Sequence, residues 1–458
     1  MSTECVSPII LEVIRNQMLS IVREAGVTLE RSGFGTAIRE KKDYSVAITD
    51  REGDIVAQVE GVPVFVGALP FAVKSVLQAY SINEINPGDI FISNDPYLAG
   101  GTHKPDINIM APFFDHGELV LFTICKGHWT DIGGKNLGSW SPDSTEMFHE
   151  GLCIPPIKVY NKGQPDEHLC DMILSNTRTV RLNRGDLGAE LAVCFTAARR
   201  LQEIFAKHGW RTIECAILEM ATQAENIARA RIKEIPDGRY QRVEYVDSDG
   251  VTDDLIRIPV DVIVSGDEMT IDFSRCPKQS PGPCGNSSLA RTVSAVRLAI
   301  KCLLAPHTPM NDAFYRPIKV VAPEGSCVNP LPPAPLTQGS LLGKTITEAI
   351  ILALAEVIPE RVMAGIFGST LHLILSGRDP RYGGEVFSAA EGLGGGWGAR
   401  YSKDGVNAVS SLGNGYLKDT PAEVLENVFP LRVEQYALFP DTGGPGKYRG
   451  GVGIIQDF

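Results

Sequence analysis

INIMAPFF (residues 107–114), DHG (115–117) and ELVLFTICKG (118–127) read together as two strands joined by a tight turn. Two apolar runs around a short polar break that ends in glycine mark a β-hairpin. Just before it stands NDPYLAGGTHKPD (94–106), and it runs on into GHWTDIGG (127–134). Both segments contain H-x-x-D: His103 with Asp106, and His128 with Asp131. An antiparallel pair brings its open ends side by side, so two imidazoles and up to two carboxylates are expected within a few ångströms. Gly100-Gly101 and Gly133-Gly134 let the backbone bend tightly around them. A mixed nitrogen and oxygen set suits Zn²⁺, Mn²⁺ or Fe²⁺ rather than Ca²⁺ or Mg²⁺. Cys125 is the one cysteine nearby, so such a site is expected to be catalytic rather than structural. The alternative is a pair of loop histidines hydrogen-bonded to local aspartates.

Outward from the hairpin, Ser7-Pro8 opens a helix in which Ile10, Val13, Ile14, Met18, Ile21 and Val22 recur at helical spacing to about Leu29. YSVAITD from Tyr44, IVAQVEG from Ile55 and DIFISND from Asp89 read as strands. Helices are expected from Asp186 to about Lys207 and from Thr212 to Ile235. Beyond Pro236-Asp237-Gly238, RYQRVEYVDSDG and LIRIPVDVIVSGDEMTIDFS alternate with the period of strands. Further helices are expected from Ala290 to Leu304 and from Thr345 to Val357, with a Gly-rich remainder of short strands. Runs of strands and runs of helices imply an α+β class, multi-domain, with mixed or antiparallel sheets and packed helices. The expected division is a metal-binding domain at 1–235 with the N-terminal helix, a strand-rich region at 236–330 and a Gly-rich region at 331–458. GVGIIQDF at the end reads as a strand just begun, so further C-terminal sequence is expected.

The 458 residues carry a formal net charge of −12. Phosphate-backbone binding needs a basic stripe, so nucleic acid is excluded as an expected partner. MSTECVSPII lacks the features of a secretory leader, and AIILALA (349–355) is cut by Glu356, far short of a membrane span. A cytoplasmic chain with reduced thiols is expected, since ten cysteines include no CxxC pair. Cys276 and Cys284 bracket a Pro/Gly-rich segment and can meet in space. GSLLGKT (339–345) has three residues between its glycines where a phosphate-binding loop has four, and it reads as a helix start. Arg178, Arg181 and Arg184 read as a salt-bridged helix entry beside Asp186. His149, His168, His208, His307 and His372 lack acidic or glycine framing and read as structural, and Trp129 reads as core.

NDPYLAGGTHKPD and GHWTDIGG resemble signature segments of the hydantoinase B/oxoprolinase family. IREKKDYSVAITD (38–50), NRGDLGAELAVCFTAARRL (183–201), EGLGGGWGAR (391–400) and PLRVEQYALFPDTGGPGKYRGG (430–451) fit it too, in order and spacing, along nearly the whole chain. The resemblance implies four metal ligands: Asp43, His103, Asp106 and His128. Asp43 comes from the resemblance alone. Asp131 then becomes the residue that orients His128 through its other ring nitrogen, and Asp131 or Asp43 the catalytic proton acceptor. The favoured metal is zinc, with manganese as the other fit. ATP is implied in a separate A-type subunit, not in this chain, with a dimer of such heterodimers as the assembly. The implied function is the catalytic subunit of an ATP-dependent hydrolase of a cyclic amide: a hydantoin, lactam or oxoproline-like ring. One alternative is a component of an acetone/acetophenone-type ketone carboxylase, and another is a scaffold component with a structural metal.

Overall fold

The structure is a computed structural model describing residues 6–59, 61–65, 67–415 and 417–458. Cys5 and Glu60, the latter near the end of IVAQVEG, lie outside the described residues. Helix α1 (Pro8–Ser32) starts where Ser7 Oγ accepts from the Ile10 amide and Pro8 presets the first helical φ. Its buried residues Leu11, Ile14, Met18, Ile21, Val22, Ala25 and Leu29 form one stripe. A short helix, α2 (Thr36–Arg39), leads to strands β1 (Tyr44–Asp50) and β2 (Ile55–Gln58), then α3 (Leu69–Ala79) and β3 (Ile90–Ser93). The hairpin is β4 (Asp106–Asp115) and β5 (Glu118–His128). Its two turn residues, His116 at φ 45° and Gly117 at φ 87°, both adopt positive φ, which matches the twist of the flanking strands. With β6 (Ile157–Asn161) and β7 (Gln164–Pro165) they make a seven-stranded sheet in the order β2-β1-β5-β4-β3-β6-β7. Its neighbours pair antiparallel.

Helices α4 (Glu167–Ser175), α5 (Val180–His208) and α6 (Trp210–Ile232) follow. Val46, Ile48, Val120 and Cys125 on one face of the sheet pack with Ile14, Val193 and Ile213 of α1, α5 and α6. Ala47, Phe91, Met110, Phe122 and Ile124 on the other pack with Leu69, Val73 and Val76 of α3. Cover on both faces explains why β5 is buried at every position after Glu118, and why it reads as an apolar run rather than an alternation. Each such aliphatic side chain contributes roughly 1.5–3 kcal/mol on burial.

The second sheet holds β8 (Gly238–Val246), β9 (Ile256–Ser265) and β10 (Glu268–Asp272), then helix α7 (Leu289–Leu304) and strand β11 (Ile318–Val321). The strand order is β11-β10-β9-β8, and β10 pairs with β11 in parallel. Val296 and Ile300 of α7, with Ile346 and Ile350 of α8 (Ser340–Ala353), pack against Ile258, Val260 and Val262. Strands β12 (His372–Asp379) and β13 (Glu385–Gly392) form a hairpin, and after α9 (Ala422–Val428) strand β14 (Gln435–Leu438) pairs with β15 (Ile454–Asp457).

The α+β class stands, and each expected helix appears with shifted ends. α5 starts at Val180 rather than Asp186, and α8 at Ser340 after a Gly339 cap. Among the described residues eight cysteines are free, but Cys215 is disulfide-bonded, which corrects the expectation of thiols throughout. Spacing along a chain does not reveal which sulfurs meet. Among the described residues no helix is long and apolar enough to cross a membrane.

Candidate metal centre

The ladder of the seven-stranded sheet assembles the site. Asp106, the first residue of β4, stands opposite His128, the last of β5. On the other side of β5, Tyr44 of β1 stands opposite Gly127, and the Asp43 carbonyl accepts from the His128 amide at 3.1 Å. The starts of β1 and β4 therefore meet the finish of β5 at one end of the sheet. His103 sits in the turn entering β4, where its carbonyl accepts from the Asp106 amide at 3.1 Å. That approach needs Gly100, at φ 65°, because a Cβ there would lie 2.4 Å from the Ala68 carbonyl oxygen.

Asp106 is the hub. His103 Nε2 at 3.1 Å and His128 Nδ1 at 3.2 Å share its Oδ1, and the Thr102 hydroxyl donates to Oδ2. The imidazoles stack with centroids 5.0 Å apart, and all three residues are at most 6% exposed. One ligand-capable atom from each of His103, Asp106 and His128 lies within 4.8 Å of the other two. Ligands on opposite sides of an ion at about 2.1 Å are about 4 Å apart, so small side-chain movements would put all three within reach of one ion.

Burial pushes the Asp106 carboxyl up, but His103 and His128 outweigh it and hold it well below the usual carboxylate range. Burial drives His103 down to about 4 against the pull of Asp106, leaving a neutral imidazole at neutral pH. Its Nδ1 is buried and has no hydrogen-bond partner among the described residues. Burial also opposes charge on His128, yet Asp106 and Asp43 raise it. Asp43 lies outside the tight group but close enough to feel it. Burial lifts its carboxyl to about 6, Asp106 adds to the rise, and His128 and Lys41 oppose it.

Asp131 is placed elsewhere, which corrects its expected role beside His128. Its Oδ1 accepts from the Gly138 amide, the Ser139 hydroxyl and Arg178 Nη1, and its Oδ2 from the Gly133 and Arg178 amides. His128 Nδ1 faces Asp106 instead. The two H-x-x-D pairs are not equivalent because one turns into a strand while the other leaves it. The first folds its aspartate back onto its histidine; the second carries it away to fix the 131–139 loop to the entry of α5. Arg178 is thereby engaged, and Arg184 pairs with Asp171 at 2.7 Å, a salt-bridged helix entry as expected. Trp129 is core, with Nε1 donating to Glu190 at 3.1 Å.

Sequence reasoning missed the roof of the site. The Trp140 ring lies 4.8 Å from His103, 5.8 Å from His128 and 4.6 Å from His372, centroid to centroid. His372, read as a structural histidine, is thus part of the same aromatic cluster. Lys41 Nζ donates to the Ala390 carbonyl and lies 3.9 Å from Glu391, which ties β13 to the segment carrying Asp43. Lys41 stands two residues from Asp43 and was the one signal at hand; Trp140 and His372 carry none in their local spacing.

The family described as hydantoinase B/oxoprolinase matches residues 7–458. The chain is 32% identical over 466 residues to a putative D-/L-hydantoinase B-type subunit of a Pseudomonas strain, covering 99% of this chain and 78% of that protein. It is 32% identical over 453 residues to the caprolactamase β chain of Pseudomonas jessenii, covering 98% of this chain and 77% of that protein. It also superposes on the crystal structure of the ATP-dependent caprolactamase of that organism, with a TM-score of 0.92 over 98% of this chain and 78% of that one. A nucleotide-free acetone carboxylase structure shares the fold, with a TM-score of 0.91 over 98% of this chain and 62% of that one at 21% identity.

Proposed function

Because the chain belongs to the hydantoinase B/oxoprolinase family, we propose that it is the metal-dependent catalytic subunit of an ATP-dependent cyclic-amide hydrolase. Its substrate is a hydantoin, lactam or oxoproline-like ring, activated by ATP in an A-type partner subunit. The convergence of His103, Asp106 and His128 within 4.8 Å carries this reading. The hydantoinase and caprolactamase relatives are each named as one component of a larger enzyme, which supports a partner. We place the assembly, a dimer of such pairs, in the cytoplasm.

The residues fit a divalent transition metal. Two buried imidazoles and a carboxylate form a nitrogen–oxygen set, and the unpartnered His103 Nδ1 leaves a lone pair or proton that no protein group meets among the described residues. His103, Asp106 and His128 would hold the ion, with Asp43 completing the set; zinc fits best and manganese also fits. When bound, such an ion supplies Lewis-acid polarisation of the reacting carbonyl. Asp106 fixes both imidazole rings through one oxygen. Before an ion binds, burial lifts the Asp43 carboxyl to about 6, so it is deprotonated at neutral pH and available as a ligand. Trp140 covers the imidazoles and excludes water from that side.

The test is metal analysis of the isolated assembly, with turnover of His103→Ala and His128→Ala. The expected result is close to one equivalent of metal in the wild type, ATP-dependent release of a ring-opened amino acid, and loss of both in the variants with the assembly intact. Less than about a tenth of an equivalent of any transition metal would overturn the reading. So would fixation of labelled bicarbonate onto a ketone without hydrolysis of any cyclic amide, or a His103→Ala protein that unfolds outright.

A further inference from the structure

Arg291 and Lys344 come from separate helices, and both are buried within electrostatic reach of each other, Arg291 also within reach of the histidine–aspartate cluster. Arg291 lies in the first turn of α7, whose cap residue Ser288 donates to the Gly101 carbonyl at 3.4 Å, in the loop leading to His103. Lys344 lies on α8, next to Gly343. A Cβ on Gly343 would lie 3.4 and 3.5 Å from Cγ and Cδ of Arg291, so the arginine stem runs along α8 there. Lys344 also acts electrostatically on His372, and a Cβ on Gly392 would lie 3.7 Å from His372 Cδ2 and 4.0 Å from Lys41 Nζ. Lys41, Lys344 and Arg291 are therefore gathered around the rings that Trp140 roofs.

Arg291 and Lys344 are each 3% exposed. Arg291 Nε and Nη1 and Lys344 Nζ have no hydrogen-bond partner among the described residues. Asp106 and Glu150 are the anions that act on Arg291, but neither accepts a hydrogen bond from it, and Glu150 Oε2 is itself without a partner among the described residues. Asp106 serves Thr102 and the two histidines, while Glu150 Oε1 accepts from the Leu336 and Thr337 amides at 2.7 Å. Burial and the neighbouring Arg291 push the Lys344 ammonium well below the ordinary lysine range. A buried guanidinium and a buried amine with unused donors, close enough to repel when both are charged, are costly to fold unless a ligand meets them. GSLLGKT, which fails as a nucleotide loop, contributes the lysine of this arrangement from a helix.

We propose that Arg291 and Lys344 form a phosphate-binding subsite beside the His103–Asp106–His128 cluster, occupied by the phosphoryl group of the activated substrate or by free phosphate. The substrate-borne form rests on the function proposed above. A guanidinium and an amine from two packed helices, within electrostatic reach of each other, suit a tetrahedral, multiply charged oxyanion. No bond is made or broken at the subsite; it positions.

Inorganic phosphate is titrated by calorimetry into the full-length protein, in the assembly in which it is isolated, after chelation of metal. The wild type, Lys344→Met and Arg291→Gln are compared. The wild type is expected to bind phosphate and each variant to bind it about tenfold more weakly or worse, one decade for each lost charge-assisted contact. Lys344→Met without phosphate is expected to melt no lower than the wild type, since it removes a buried amino group that has no hydrogen-bond partner among the described residues. Equal binding by all three proteins, or none by the wild type, overturns the subsite. Turnover then separates the sources. Variants that hydrolyse ATP but release no ring-opened product support a substrate-borne phosphoryl group, and variants altered only in inhibition by phosphate support the free ion. Failure of the metal analysis leaves the phosphate titration standing, and failure of the titration leaves the metal site standing.

Discussion

Replacing Asp106 with asparagine keeps the shape of the side chain and removes the charge that both imidazoles face. The carboxylate is 1% exposed and accepts from His103 Nε2 at 3.1 Å and His128 Nδ1 at 3.2 Å through one oxygen. A hydrogen bond to a charged group is worth roughly 1.5–3 kcal/mol. Two contacts sharing an oxygen do not add fully, so metal-free D106N is expected to lose about 3 kcal/mol at pH 7. The pH dependence has a definite sign. Asp106 is held below its unfolded value, so its contribution is present above about pH 4 and is lost as the pH falls further. The deficit of D106N should therefore be full at pH 7 and shrink below about pH 4. Urea unfolding of chelated protein across this range measures it, and metal content measured alongside should fall by more than about tenfold in affinity. An unchanged midpoint at pH 7 in metal-free D106N would refute the electrostatic argument, whatever the metal does.

Asp131→Ala removes the acceptor for the Gly133, Gly138 and Arg178 amides and leaves the Arg178 guanidinium short of its partner. It should cost about 3–5 kcal/mol while metal content per folded chain stays at the wild-type level; lost metal without lost stability would put Asp131 at the ion instead. Burial lifts Asp50 to about 6, against the amides of Asp54 and Glu52, so its charged form disfavours folding increasingly as pH rises from about 4 to 6. Asp50→Asn keeps the acceptor oxygen and should gain about 1 kcal/mol above pH 6, discounted for partial exposure, with the gain vanishing below pH 4; unfolding midpoints that differ equally at every pH contradict this. Gly133 sits at φ 81°, and a Cβ there would meet the Asn176 carbonyl oxygen at 2.1 Å. Gly133→Ala should cost more than about 2 kcal/mol, and a melting temperature equal to the wild type's would rule out the close approach.

Local signals made the hairpin legible. Its apolar runs end at a turn whose glycine tolerates positive φ, so the side-by-side placement of Asp106 and His128 follows from counting back along two strands. Helix α1 was legible because one face repeats at helical spacing and the serine–proline pair marks its start. Helices α3 and α4 were not read: α3 has a proline as its second residue inside an apolar stretch with no polar cap, and α4 is short. At the candidate site the limit was sequence distance. His103, Asp106 and His128 belong to one supersecondary unit, whereas Trp140, Arg291, Lys344 and His372 arrive on separate elements. Asp131 misled for the opposite reason. Its spacing copies that of Asp106, but spacing records neither where the backbone turns nor which donors await the carboxylate.

The site sits at one end of a ladder whose other end is a bare two-residue turn. Strand β4 has 10 residues, so at roughly 3.3 Å per residue His116 and Gly117 stand about 30 Å from Asp106. A Cβ on Gly117 would meet nothing within 4 Å. The hairpin thus behaves as a ruler fixed at the chemistry and open at the tip. Extra residues grafted at the tip leave the pairing of Asp106 with His128 untouched, while a one-residue slip within the strands turns both side chains to the opposite face. The tip is where a fluorophore or affinity tag belongs, about 30 Å from the His103–Asp106–His128 cluster.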